Sequence, residues 1–371
     1  MTDRSAFGLY LHIPFCRKKC AYCDFYSAIA TDELLDRYTK ALQTEIRKWG
    51  GATNRPIRSI YFGGGTPSLL GNRLPPIMNT IRDSFSLLPN TEITLEVNPS
   101  GRTETLLAAA KSAGVNRLSI GAQSGDNKTL ALLGRTHTAA DTLATVKAAR
   151  RLGFENLSLD LMLGLPFSNE ATLQNDLDFM LSAEPEHLSA YLLKIEPRTR
   201  FFAEQASLSL PDDDQQAAQY LLLCDVLKQH GYRHYEISNF SKPGFEGRHN
   251  LGYWQTEEYL GLGPAAHSFF EGKRFYYPKN LKAFLTGADP VADGAGGGKD
   301  EYLMLRLRLA EGVNFCEYRQ TFGEDIADRL TAVCLPFAKA GLAAVTKDGV
   351  ALTDRGMLVS NSIITACLDA L

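Results

Sequence analysis

The sequence lacks the marks of a membrane or exported protein. None of its 371 residues fall in an apolar run of eighteen, the length that crosses a bilayer. The N-terminus shows no succession of charged, apolar and small residues of the kind that forms a signal peptide. These absences predict a cytoplasmic chain. Cationic excess is missing too. The 39 Lys and Arg face 42 Asp and Glu, a net charge of −3, which argues against a nucleic-acid partner held through its phosphates. There is no internal repeat, and only one stretch, PVADGAGGGKD (290–300), is of low complexity. Cysteine is scarce, at seven, and unevenly spread: Cys16, Cys20 and Cys23 fall within eight residues. In a reducing compartment that packing favours metal ligands over disulfide partners. The other four, Cys224, Cys316, Cys334 and Cys367, sit in apolar surroundings and read as buried small hydrophobes without a role.

The 44% of apolar residues suffices for one large domain and a smaller second one. From residue 7 to about 195, short β-branched runs alternate with helix-length segments: 7–13, 57–63, 91–97, 116–122, 155–163 and 187–195. Six such units predict a parallel sheet covered by helices. Polar residues near the ends of these runs, Glu96, Gln123, Asp160 and Lys194, favour a partial barrel over a doubly wound sheet, because barrel sites gather at the C-terminal strand ends. Thr66-Pro67 reads as a helix cap with Pro at the first helical position, and Asp212 as another cap. The Gly-rich stretch 290–300 reads as a linker. Beyond it, a hairpin signal at Asp348-Gly349 between helical segments predicts a small winged-helix-like α+β domain. Its seven Lys and Arg against ten Asp and Glu over 300–371 disfavour DNA binding. The expected architecture is therefore a partial (β/α)6 TIM-type barrel with a C-terminal extension (1–289), a linker (290–300) and the small domain (301–371).

Three thiolates in a C-x3-C-x2-C loop leave one iron of a [4Fe–4S] cubane without a protein ligand, where thiolates ordinarily fill all four positions. An iron left open this way can take the amino and carboxylate groups of S-adenosylmethionine. The competing reading is a Cys3His zinc site completed by His12. The loop after a first barrel strand resembles the radical S-adenosylmethionine superfamily. The strings YLHIPFCRKKCAYCDF, YFGGGTPSLL, LEVNPS, NRLSIGAQS, LDLMLGLP and HNLGYW are similar to the group that contains oxygen-independent coproporphyrinogen III oxidase and the HemW-type haem chaperones. The resemblance implies a [4Fe–4S] cluster on Cys16, Cys20 and Cys23. It implies S-adenosylmethionine held by Gly64, Gly65 and Thr66 at its methionine end and by Glu96 at a ribose hydroxyl. Gln123, Arg135 and Asp160 match further ligand contacts, and Tyr10 and Tyr22 flank the loop. Each also has a plain structural reading: a strand-to-helix turn for the glycines, an ion pair for Glu96, a buried polar network for Gln123, Arg135 and Asp160, and core packing for the tyrosines.

Within that group, two features lean toward the chaperones. The oxidase carries a further cysteine two residues past the third, whereas this chain has Phe25. Only fifteen residues precede Cys16, where the oxidase has a long N-terminal extension over its substrate. The resemblance extends to HNLGYW (249–254) as the chaperones' HNxxYW element, which implies haem as a third cofactor on His249. Haem-accepting proteins such as respiratory haemoproteins are then the implied partners. His267 is the weaker candidate ligand, and Lys242, Arg248, Lys273 and Arg274 are candidate propionate partners. The sequence leaves open whether the chain forms a homodimer, associates transiently with membranes, or is itself an enzyme acting on a tetrapyrrole.

Overall fold

The computed structural model of the chain describes residues 6–100 and 103–369. Strands β1 (Phe7–Ile13), β2 (Ile57–Gly64), β3 (Leu87–Val97), β4 (Arg117–Gln123), β5 (Leu157–Leu163) and β6 (His187–Leu192) lie side by side and parallel. Helices such as Asp32–Gly50, Leu74–Ser84, Ala139–Arg151 and Glu170–Ser182 connect them. The six expected runs all appear, with ends shifted by a few residues. They form only half of the sheet. β7 (Arg233–Glu236) and β8 (Asn239–Ser241) extend it antiparallel beyond β6. On the other flank, β9 (Tyr259–Leu262) pairs parallel with β1, and β10 (His267–Phe270), β11 (Lys273–Tyr276) and β12 (Val291–Ala295) follow antiparallel. The order is β12-β11-β10-β9-β1-β2-β3-β4-β5-β6-β8-β7, and the two outermost strands do not pair. The barrel is open.

Strand side chains alternate between faces, and here the two faces differ in chemistry. Leu9, Leu11 and Ile13, then Ile60 and Phe62, Ile93 and Leu95, Leu118 and Ile120, Leu159 and Leu161 are buried under the helices. Each fully buried Leu or Ile there contributes about 1.5–3 kcal/mol relative to exposure. The opposite face carries Gly8, Tyr10 and His12, Ser59 and Tyr61, Glu92, Thr94 and Glu96, Arg117, Ser119 and Gln123, Ser158 and Asp160, His187 and Ser189. A parallel sheet covered on both sides reads as continuous apolar runs. These strands instead enclose a polar lumen.

Two sequence expectations change. Residues 290–300 are not a loose linker along their length. Val291–Ala295 is the edge strand β12, and a helix starts at Lys299. Val291 and Ala292 pair with Tyr276 and Phe275, which extends the sheet despite the Gly-rich composition. Thr66 does not cap its helix through the side chain, and the helix at Pro67–Arg73 is 3-10 rather than α. Asp212 does cap the helix Asp213–Gln229, in a capping box with Gln215. The C-terminal part is a three-stranded sheet of β13 (Val313–Asn314), β14 (Ala343–Val345) and β15 (Gly349–Leu352), with helices Phe315–Phe322, Ala327–Lys339 and Ser360–Leu368 around it. The hairpin turn falls at the expected Asp348-Gly349. Cys334 and Cys367 are buried there as expected, but Cys316 is exposed, because its helix buries Phe315 and Tyr318 instead.

Candidate functional site

The three loop cysteines follow β1 at the C-terminal end of the parallel strands, where sites of this fold class lie. The loop is tied down on both sides. Ala21 N donates to Leu133 O at 2.9 Å, and Ala21 O accepts from Phe201 N at 3.0 Å. One polar chain then joins two of the sulfurs. Thr66 Oγ1 donates to Cys16 Sγ at 3.7 Å, and Asn98 Nδ2 donates to Thr66 Oγ1 at 2.8 Å. Arg135 Nη2 donates to Asn98 Oδ1 at 2.7 Å, and its Nη1 donates to Cys20 Sγ at 3.7 Å. Donors aimed at sulfur stabilise thiolate and tune whatever the thiolates hold. Arg135 also donates to Gly121 O at 2.6 Å, which anchors the guanidinium to the end of β4. Asn98, the centre of this chain, went unremarked in the sequence, although it stands in the LEVNPS string directly after β3.

The zinc reading fails on geometry. A tetrahedral zinc with Zn–S bonds near 2.3 Å would set its ligand atoms roughly 3.8 Å apart. Among the described residues, the loop cysteines and His12 do not form a set with ligand atoms within 4.8 Å of one another. His12 is also occupied elsewhere. Its Nδ1 bonds Tyr10 Oη at 3.0 Å and its Nε2 bonds Tyr26 O at 3.3 Å, and burial holds its pKa down at about 4. A cubane, with one iron at each alternate corner, spreads its thiolates wider than a single ion does. The donor set suits a cluster.

Below the loop, the glycines at and just past the end of β2 let neighbouring parts of the chain approach closely. A Cβ on Gly65 would stand 2.6 Å from Phe15 O, and one on Gly63 would stand 2.9 Å from the Tyr10 ring and 3.1 Å from Glu96 Oε1. Gly64 takes φ +113°, a conformation open to glycine. Glu96 accepts from Tyr61 Oη at 3.0 Å and from Gly64 N at 3.1 Å. Asp160 accepts from Ser119 Oγ at 3.0 Å. Gln123 ends β4 with φ 68°, bent into the left-handed region at the rim. Lys194 leaves the lumen altogether and pairs with Glu196 in solvent. Burial pushes the Glu96 carboxyl up to about 8, helped by the Asp160 charge, and burial likewise raises Asp160 to about 6.

These shifts fix a pH dependence. The folded chain keeps Glu96 protonated from 4.5, its ordinary value, to about 8, while the unfolded chain loses that proton. Folded protein then binds more protons, so stability falls as pH rises across that window. Replacing Glu96 by Gln should flatten the decline in melting temperature of the ligand-free chain between pH 5 and 8, leaving a smaller decline from Asp160. An unchanged slope would show that Glu96 is ionised throughout.

The structure places His249 away from this rim. The helix Arg248–Trp254 lies across the opposite, N-terminal end of the lumen, and its first amides, Arg248 N and His249 N, donate to the Glu92 carboxylate at 3.1 Å each. His249 is 3% exposed. Its Nδ1 bonds Ser59 Oγ at 2.9 Å and its Nε2 bonds Tyr253 Oη at 2.8 Å, with the ring stacked on Tyr61. Burial, with Arg58 and Arg117 nearby, lowers its pKa to about 3. Both ring nitrogens are engaged, so neither is presented to a metal. The expected haem ligand is a floor residue of the lumen. The four candidate propionate partners also disperse. Arg248 donates to Asn90 O, Arg274 pairs with Glu301, Lys242 lies over the Tyr232 ring, and Lys273 opens strand β11, next to the edge. Glu92 and Ser59, which hold the floor, were missed. The signal was the alternation itself, since Glu92 and Glu96 share one face of β3.

Tyr10 and Tyr22 both lie beside the site. Tyr10 reaches His12 within the lumen, and Tyr22 stands near Arg135 and Cys20. The Radical SAM superfamily model matches residues 10–180, and the HemN C-terminal domain model matches 300–359. The chain is 34% identical over 380 residues to "Heme chaperone HemW" of Bacillus subtilis, covering 98% of this chain and 99% of that protein. The chain belongs to the HemW family. It is also 34% identical over 377 residues to the HemW of Mycobacterium tuberculosis strain H37Rv, covering 98% of this chain and 95% of that protein. The fold superposes on coproporphyrinogen III oxidase (HemN) of Escherichia coli with a TM-score of 0.84 at 24% identity, over 99% of this chain and 91% of that one. That likeness establishes the fold of this HemW-family chain and leaves its chemistry to the site. Membership of the radical SAM superfamily implies, in general, a [4Fe–4S] cluster and S-adenosylmethionine. No helix among the described residues is long and apolar enough to cross a membrane.

Proposed function

We propose that the chain is a haem chaperone that holds a [4Fe–4S] cluster on Cys16, Cys20 and Cys23, takes S-adenosylmethionine into the polar lumen, binds haem, and hands it to acceptor haemoproteins. The observation that carries this reading is the near full-length relationship to proteins named heme chaperones. The cluster brings one-electron chemistry to bound S-adenosylmethionine. The chain's own groups shape the pocket. Glu96 and Asp160 offer carboxyl oxygens to hydroxyl or ammonium groups, the bare backbone of Gly63–Gly65 lets Tyr10, His12, Glu96 and Phe15 pack against it, and Arg135 with Thr66 keeps the sulfurs in register.

The same end of the sheet supports a haem platform. Phe25 and Phe167 are each 65% exposed, and Phe202 is about half exposed; they come from the segments after β1, β5 and β6. Each is an exposed aromatic on a segment leaving the C-terminal end of a strand, and flat rings suit a planar macrocycle. Arg17 and Lys18 line a cleft beside Cys20 and could take propionates. Of the two imidazoles considered as iron ligands, His267 is the accessible one. It is exposed at the start of β10, just after the turn that follows the C-terminal end of β9, and it stacks on Tyr276. His267 is therefore the imidazole for the haem iron.

The test is a haem titration of the anaerobically reconstituted chain, run beside product analysis with coproporphyrinogen III, reductant and S-adenosylmethionine. Haem binding with no protoporphyrinogen formed is expected, and His267→Ala should weaken haem affinity about tenfold or more, a change of roughly 1.4 kcal/mol or above. Multiple turnovers of coproporphyrinogen would replace the chaperone reading with the oxidase one. Unaltered haem binding by the His267 variant would move the iron ligand elsewhere.

A further inference from the structure

Cys224, one of the cysteines given no role by the sequence, stands in a second cluster of ligand-type side chains far from the loop in sequence. Cys224 Sγ, an imidazole nitrogen of His234 and a carboxylate oxygen of Asp354 lie within 4.8 Å of one another. The three residues come from three elements. Cys224 is buried on the helix Asp213–Gln229, His234 sits in the outermost strand β7, and Asp354 opens the short helix Asp354–Leu358 of the C-terminal part. His234 Nδ1 already faces Asp354 Oδ1 at 2.7 Å. Its other nitrogen, Nε2, meets Tyr220 Oη at 3.3 Å, and Tyr220 Oη donates onward to Ile237 O at 3.4 Å. The ring is fixed flat against Phe240, with centroids 4.3 Å apart and planes 14° apart.

We infer that Cys224, His234 and Asp354 form a zinc site that fastens the C-terminal part to the edge of the sheet. The chemistry of the three groups fits that ion. Zinc takes mixed sulfur, nitrogen and oxygen ligands in a tetrahedron, with a fourth position open to water. One thiolate and one carboxylate balance its two positive charges, so the loaded site is neutral, as a half-buried position requires. Asp354 is half exposed and gives water access to the fourth position, while Cys224 and His234 face inward. The outer bonds are also in place. With the ion on Nδ1, the imidazole proton sits on Nε2 and donates to Tyr220 Oη, whose own proton goes to Ile237 O. This is the arrangement in which a ligating histidine is held by a hydrogen-bonded partner on its far nitrogen. Loading releases one proton to solvent, from the Cys224 thiol, while the imidazole proton that lay between His234 and Asp354 moves to Nε2.

The site lies at the opposite flank of the sheet from β9 to β12 and uses none of the loop cysteines, so it can be assayed without them. The experiment takes the full chain with Cys16, Cys20 and Cys23 each replaced by Ser, freed of metal, and titrates it with Co(II) as a coloured stand-in for zinc. One Co(II) per chain is expected, with a thiolate-to-cobalt charge-transfer band and the visible absorption of a tetrahedral centre; Zn(II) should bleach both. Cys224→Ser in that background should remove the charge-transfer band. Asp354→Asn, at a half-exposed position that tolerates the change, should weaken Co(II) binding about tenfold or more while leaving the far-ultraviolet circular dichroism unchanged. Zn(II) should also raise the melting temperature of the parent and not of the Cys224 variant. Absence of a charge-transfer band in the parent, or a band that persists in Cys224→Ser, would overturn the assignment.

Discussion

Replacing Cys20 by Ala should strip the chain of iron and sulfide, from about four of each per chain to near zero, without unfolding it. The change removes one of the three proposed cluster ligands and the acceptor of the Arg135 Nη1 bond. Thiolate coordination is the main hold on such a cluster, and two remaining cysteines do not retain a cubane through reconstitution and desalting. The fold should survive, because the loop is held at its neighbour Ala21 by backbone bonds to Leu133 and Phe201, and the helix-covered core lies on the other face of β1. Iron and acid-labile sulfide analysis beside circular dichroism reads both halves. Full cluster content in the variant would remove Cys20 from the ligand set. Thr66→Val offers a graded companion, deleting the hydroxyl bond to Cys16 while keeping all three thiolates.

The second large effect concerns stability. Truncating His249 to Ala deletes a ring stacked on Tyr61 with centroids 5.2 Å apart, and it strands the hydroxyls of Ser59 and Tyr253 inside the floor of the lumen. A buried hydroxyl left unpaired costs about 1–3 kcal/mol, and the cavity adds to that. We expect a loss of roughly 2–4 kcal/mol in unfolding free energy, together with haem affinity close to that of the parent. Denaturant unfolding and haem titration on one preparation separate the possibilities. A variant that keeps its stability and loses haem would restore His249 as the iron ligand and overturn its place in the floor.

Much of the site was legible because its chemistry leaves dense traces in the sequence. Three cysteines in eight residues have few uses, and the six β-branched runs marked the parallel strands almost to their ends. What escaped was whatever depends on long-range placement. No local signal says that the helix carrying His249 folds back beneath β1 to β3, because its partners Ser59 and Glu92 lie 190 and 157 residues away. An aromatic-flanked histidine has the same sequence appearance whether it ligates a metal or closes a floor. The edge strand β12 was hidden for a related reason. It is five residues long and reads Val-Ala-Asp-Gly-Ala, so its pairing is set by the sheet it joins rather than by its own composition, whereas the segment 232–240, which holds β7 and most of β8, reads as strand-like. The Asn98 bridge was within reach. A polar residue placed directly after β3, where the loops converge, deserved the suspicion given to Glu96.

The helix Arg248–Trp254 has a mechanical meaning beyond closing the lumen. A closed barrel keeps its diameter because hydrogen bonds run all the way round. This sheet is an arc whose curvature nothing in the strand ladder fixes, since its outermost strands never meet. The chain leaves one limb of the arc at β8, passes through this helix, and rejoins the other limb at β9 beside β1. The helix is thus a strut spanning the chord of the arc, pinned at its first turn to β3 through Glu92. Its length and seating set how far apart the limbs stand, and so how wide the gap is at the far rim where the cysteines sit. A substitution in the strut can therefore change the grip on a ligand it never touches.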